Sequence, residues 1–241
     1  MIYAMDAIVN QAAKWSHMFG GQAHPGLTIR SIINRGGEQG AQHSQALHSW
    51  FANVPGLRVV MPSTVADARD LLIAAVLCKD PVLYIDDRWL YEQEDELPPI
   101  LEIDLASQGP VVSVPGSDIT IVASGHSSLL ARQSSQQLLN RKISAEVIDV
   151  RVLNPFNIEK IVKSVEKTRN LLVVDSGFLS GGFSAEIISK IVERVSVDCL
   201  NNPPVRVALP DAPAPSSRVL EKNYYTSNKD IVKAVKKILK N

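Results

Sequence analysis

Asn34 to Gln45, which reads NRGGEQGAQHSQ, is the stretch whose residue types and spacing can do chemistry. His43 is the one side chain in it able to take or give a proton near neutral pH. Gln42, Ser44 and Gln45 lie where they could hold its ring in one tautomer. Gly36, Gly37 and Gly40 let the backbone turn sharply and approach a ligand closely. The competing reading is a glycine turn followed by a helix-capping histidine. The other candidates read as structural. His17, His24, His48 and His126 fall singly in helices or turns. His43 and His48 are five apart, where two metal ligands on one helix face need four. Gly181-Gly182-Phe183 could hold an anion at a helix start, but it lacks a dinucleotide fingerprint and reads as a packing turn. Glu92, Glu94 and Glu96 have no histidine beside them and read as a solvated linker.

The elements that must position His43 follow from the pattern. An apolar, β-branched run, Leu27 to Ile33, enters the glycine loop as a strand, and Ala46 to Ala52 leaves it without glycine or proline. This layout suits a site at the end of an α/β sheet. Upstream, Met1 to Phe19 reads as a helix with Met5, Ile8, Val9, Ala12 and Trp15 on one stripe. Downstream come a strand (Leu57 to Met61), a helix N-capped by Ser63 with Leu71, Leu72 and Ala75 inward, and a strand (Pro81 to Ile85). Glu92 to Pro115 is rich in acids, proline and turn dipeptides, and reads as the connection between domains.

The alternation then repeats. Strands are expected at Asp118 to Ala123, Ala145 to Val152, Asn170 to Asp175 and Val205 to Leu209. Helices are expected at Ser127 to Asn140 (Leu129, Leu130, Leu138 and Leu139 inward), Ile158 to Thr168, Phe183 to Val195 and Ser227 to Leu239. Ser227 with Asp230 forms a capping box for the last. Strand–helix alternation argues for parallel sheets covered on both faces, hence an α/β fold.

Composition bounds the function. The 241 residues are 45% hydrophobic, enough for a core, and Lys+Arg 25 balances Asp+Glu 25. No net field recruits nucleic acid or an anionic membrane. No apolar run approaches the roughly 20 residues needed to span a bilayer. The two cysteines, Cys78 and Cys199, lie far apart, and a reducing, cytoplasmic setting is the default.

Several strings together resemble one family. Ala41-Gln42-His43-Ser44-Gln45, then Pro55-Gly56-Leu57-Arg58-Val59-Val60, is similar to the beta subunit of thiamine diphosphate-dependent 2-oxoacid dehydrogenases, of pyruvate, acetoin and branched-chain type. Asp6 to Lys14, Pro81 to Tyr84 and Leu90-Tyr91 extend the likeness. Ile143 to Arg151 and Gly181 to Ile187 resemble a transketolase-type C-terminal domain.

The resemblance implies two successive parallel-sheet domains. These are a truncated transketolase-type pyrimidine-binding domain over residues 1–95 and, after a linker over 96–115, a transketolase C-terminal domain over 116–241. It implies thiamine diphosphate with magnesium, shared with an alpha subunit in a homodimer or an α2β2 assembly. It implies a lipoyl-bearing acyltransferase component as acceptor. His43 matches the family histidine of the active-site channel, which would stabilise charge or deliver a proton to the lipoyl sulfur during acyl transfer. The family's activating glutamate, and the aromatic residue packing on the pyrimidine, lie upstream of the first helix and have no counterpart here. Its potassium site of backbone carbonyls falls on Leu27, Ala75, Val76, Cys78 and Asp80, with Cys78 where an acid is common. The alternatives are a transketolase or deoxyxylulose phosphate synthase-like enzyme, and a non-catalytic binding module of the same fold.

Overall fold

A computed structural model describes residues 2–100 and 102–240. Met1, Leu101 and Asn241, which the expected first helix, linker and C-terminal domain include, lie outside the described residues. The first helix is irregular: a π-helical turn at Asp6–Gln11, a 3-10 turn at Ala12–Lys14, then α1, Trp15–Met18. Ile8, Ala12 and Ala13 are buried, whereas Trp15 stands out in solvent. The π-helical and 3-10 turns depart from regular α-helical spacing, so the buried stripe ends on Ala12 and Ala13 and leaves Trp15 out.

β1, Thr28–Ile33, leads through the glycine loop to the short α2, Gly40–His43, and α3, His48–Ala52. β2, Arg58–Val60, α4, Val65–Leu77, and β3, Val82–Asp87, follow. The N-cap of α4 is Thr64, which accepts from the Asp67 amide at 3.1 Å, and not Ser63. Ser63 instead donates to Asp149 in the second half of the chain. Residues 92–104 run exposed and irregular, apart from half-buried Ile103 and undescribed Leu101. β4, Val111–Val114, then forms from the last residues of the expected linker.

The second half continues with β5, Ile119–Ala123, α5, His126–Leu139, β6, Ala145–Asp149, β7, Val152–Asn154, and α6, Glu159–Thr168. β8, Leu171–Phe178, α7, Phe183–Val192, β9, Val205–Leu209, α8, Arg218–Tyr224, and α9, Asn228–Ile238, complete it. The expected strand Ala145 to Val152 is two strands. The chain leaves the second sheet at Val150, and the Arg151 carbonyl accepts the Met61 amide at 2.8 Å. Arg151 reaches Asp67 at 2.5 Å, which anchors the change of sheet. In α5 the buried stripe is Ser127, Ser128, Ala131, Ser134, Ser135 and Leu138, and Leu139 is exposed. Spacing by three and four passes through the small residues and misses Leu139.

Two sheets result. The first has the order β1-β3-β2-β7 and the second β4-β6-β5-β8-β9. Pairing is parallel except for β7 on β2 and β4 on β6, so each sheet is a parallel core edged by one antiparallel strand. In the second sheet the order reverses around β5, placing the crevice between β5 and β8 at their carboxyl ends. That crevice faces the first sheet. One core runs across the join, taking Phe51, Leu57 and Leu83 from the first half and Ile148, Leu153 and Ile187 from the second.

Candidate functional site

The loop after β1 owes its shape to contacts from the second half. Gly36, Gly37 and Gly40 all adopt positive φ, and so does Glu38 at 63°. A Cβ on Gly36 would lie 2.6 Å from the Trp89 ring, and one on Gly40 would lie 2.7 Å from Ser216 Oγ. These two positions exclude side chains because the loop is gripped from both sides. The Gly36 amide donates to Tyr225 Oη at 3.2 Å, and the Glu38 amide donates to Glu221 Oε1 at 3.0 Å. Glu221 and Tyr225 are buried.

Beneath the loop lies a buried polar and aromatic cluster. Arg35 pairs with Asp87 and sits 5.2 Å over the Trp89 ring. Trp89 meets His126 and Tyr225 edge-on, with centroids 5.0 Å and 5.2 Å away. Burial pulls the Arg35 guanidinium down to about 10, still fully charged at neutral pH. Burial, with Arg35 nearby, pushes the His126 imidazole down to about 3, so it stays neutral.

His43 ends α2 and is exposed. Among the described residues none hydrogen-bonds its ring: Gln45 Nε2 turns to the Gln42 carbonyl at 3.5 Å, and Ser44 Oγ is buried without a partner. A cleft of about 580 Å³ opens beside the loop, between Ala41, Gln42 and Gln45 on one wall and Phe178, Asp211 and Pro213 on the other.

Two histidines set aside in the sequence prove central to the join. His48 Nε2 lies 2.9 Å from Asp175 Oδ1, both buried, one from each half. Asp175 also accepts the Gly177 and Ser184 amides at 2.8 and 2.7 Å. Burial alone would raise its carboxyl; His48 and these donors outweigh that and hold it at about 2. Asp175 thus occupies the start of α7, which leaves Gly181-Gly182 as the packing turn expected. No sequence spacing links His48 to Asp175, so only the fold reveals the pair. Asp149 is the opposite case. Burial pushes it up to about 6 although Ser63, Ser128 and Arg132 favour its charge.

Thiamine diphosphate fits this chain's described residues only in part. The carboxylates at the end of the first sheet are Asp86, Asp87 and Glu38. Asp86 is engaged by Arg30 and Tyr91, and Asp87 by Arg35 and the Trp89 amide. Glu38 is exposed. Asp86 keeps one buried oxygen, Oδ1, without a partner, and the buried Glu221 carboxylate on the loop is taken by the Glu38 amide. At the carbonyls named for potassium, Leu27 accepts the Val82 amide at 2.8 Å and Ala75 accepts Thr28 Oγ1 at 2.9 Å. The Arg58 guanidinium holds the Asp80 carboxylate, with Nη2 at 2.8 Å. No group of three or more His, Cys, Asp or Glu able to hold a metal occurs among the described residues.

Residues 1–93 match the transketolase pyrimidine-binding domain and residues 109–231 the transketolase C-terminal domain. The chain is 34% identical over 97% of its length to the beta subunit of acetoin:2,6-dichlorophenolindophenol oxidoreductase of Bacillus subtilis, covering 68% of that protein. It is 33% identical over 98% of its length to the pyruvate dehydrogenase E1 beta subunit of Rhizobium meliloti, and 35% identical over 98% to the mitochondrial one of Saccharomyces cerevisiae. It spans 51% and 65% of those two proteins. A split-gene transketolase described as an inactive beta4 tetramer superposes with a TM-score of 0.67 at 22% identity, covering 88% of this chain and 66% of that one. A transketolase mutant from Pichia stipitis gives 0.68 at 17%, covering 98% and 32%. At such identities the two structures attest the fold alone.

Proposed function

The chain belongs to the family of beta subunits of thiamine diphosphate-dependent pyruvate and acetoin dehydrogenases, built from transketolase-type domains, and from that premise we propose that it takes part in oxidative decarboxylation of a 2-oxo acid and passage of the acyl unit to a lipoyl group. The observation that carries this reading is His43, exposed on a loop gripped from both sides, whose neighbours Gln42 and Ser44, though not His43 itself, line an open cleft. Its imidazole would give a proton to the acceptor sulfur as the acyl unit moves. The cofactor, with magnesium, supplies the electron sink when bound. An alpha subunit would hold the diphosphate, and the assembly would be a homodimer or α2β2. The lipoyl group would arrive on an acyltransferase component, in a cytoplasmic setting. Carbonyls of Leu27, Ala75 and Val76, with Asp80, would take potassium.

Two features support a partner. Large apolar side chains, among them Tyr3, Met18, Phe19, Leu27 and Ile32, stand exposed around α1 and β1. Exposed apolar surface of this kind marks interaction sites. The carboxylates near the loop are also either exposed or tied to Arg30, Arg35 or the Glu38 amide, so the remainder of a cofactor site would come from elsewhere. A transketolase-like activity has less support, because the curated relatives at 33–35% identity are dehydrogenase beta subunits.

The test mixes the protein with an alpha subunit of pyruvate or acetoin type, thiamine diphosphate and magnesium. Reduction of an artificial electron acceptor is followed for each 2-oxo acid. Turnover is expected once a segment carrying the family's activating glutamate is added to the mixture, and in neither subunit alone. Turnover by this chain alone, or absence of any complex on gel filtration, would contradict the reading.

A further inference from the structure

We propose that Tyr225 and Glu221, at the end of α8 and within it, are positioning residues that set the conformation of the His43 loop. The inference rests on the role proposed for His43. The geometry is that of a clamp. The two side chains take the two amides, Gly36 and Glu38, that flank the tightest part of the loop. Glu38, the second of the two, holds a left-handed backbone at φ 63°. A non-glycine residue persists there only where its surroundings over-determine it. Neither acceptor is incidental: both residues are buried, and Tyr225 is packed edge-on against Trp89 and Tyr224. Tyr224 is itself anchored through its hydroxyl to the Ala212 carbonyl at 2.7 Å. Ala212 lines the same cleft as Ala41 and Gln42. One short helix therefore ties together the cleft wall, the aromatic cluster and the loop, and the path of residues 36–40 into α2 fixes where His43 points.

Nothing in this arrangement gives Tyr225 or Glu221 a part in bond making. Their effect passes through the backbone. Tyr225→Phe keeps the ring against Trp89 and removes only the oxygen that accepts the Gly36 amide. Glu221→Gln keeps a carbonyl oxygen for the Glu38 amide, and Glu221→Ala removes it.

The experiment is amide hydrogen exchange on the full chain, with the His43 ring followed by NMR. In Tyr225→Phe and Glu221→Ala, exchange over residues 36–43 should rise roughly tenfold, the weight of one buried hydrogen bond. Exchange over β5 and β6 should stay as in the wild type, and Glu221→Gln should restore protection. The His43 resonances should move, and those of His17 and His24 should not. A general loss of stability would instead raise exchange everywhere and move all three histidines, which would overturn the proposal; so would unchanged exchange over 36–43. Should Tyr225→Phe fail to fold, the Glu221 pair decides alone. In the assembled enzyme, acyl transfer should fall while decarboxylation holds. Loss of both activities in the wild type would sink the functional reading and leave the exchange result standing.

Discussion

At the scale of single residues, the join between the two halves is held by carboxylates with opposite responses to pH. Asp175 is held down at about 2 from the ordinary carboxylate value of 3.8. Its contribution to stability is complete above pH 3.8 and is lost as pH falls toward 2. Asp149 is pushed up from 3.8 to about 6. A raised carboxylate contributes stability below its unfolded value and loses it as pH rises through the folded one. Wild-type protein should therefore lose about 2–3 kcal/mol from this group between pH 4 and 7. Asp149→Asn keeps an oxygen for one of Ser63 and Ser128, offers an N–H to the other hydroxyl, and cannot ionise. Urea unfolding at pH 4.5 and 7 should show a smaller drop for Asp149→Asn than for wild type. Equal drops would mean that Asp149 is not desolvated as described. The glycine loop that carries His43 was legible in the sequence because it follows a β-branched run. His48 and Asp175 were not, because 127 positions separate them and only the sheet crossing brings them into contact.

At the scale of elements, long periodic segments were legible and changes of sheet were not. α6 buries Ile161 and Val165 and α9 buries Ile231, Val235 and Ile238, as their spacing requires, and the Ser227–Asp230 capping box is present. α8 went unread: among its residues and caps, Ser217–Tyr225, only Glu221 and Tyr225 are buried, too few for a periodic signal. β7 was hidden inside a longer apolar run, since three residues that change sheets look like the end of the strand before them. Its position has an energetic consequence. Leu153 is 1% exposed and lies in the core shared by both halves. Leu153→Ala should cost about 2–5 kcal/mol, the range for an unfilled buried leucine site. Because the core is common, calorimetry should show one transition, shifted down as a unit. Two separated transitions, with only one displaced, would show that the halves fold independently.

At the scale of the whole molecule, the chain presents one well-formed join and one open flank. Between the sheets, buried ion pairs, an aromatic cluster and a continuous core leave little to add. At the outer edge of β1, by contrast, no strand pairs among the described residues, and Leu27 and Ile32 are exposed nearby. Uncovered sheet edges with apolar neighbours pair with other chains. The exposed apolar surface and the His43 loop belong to the same half of the molecule. The measurement that tests this account most directly compares the two half-reactions in the assembled enzyme carrying His43→Ala. Decarboxylation, read with an artificial electron acceptor, should fall modestly. Acyl transfer to a lipoyl domain should fall by roughly 10²–10⁴-fold, the range for a lost proton donor. A lipoyl rate equal to the wild type's, or an equal small fall in both reactions with a stability loss of about 1 kcal/mol, would leave His43 a mere helix cap.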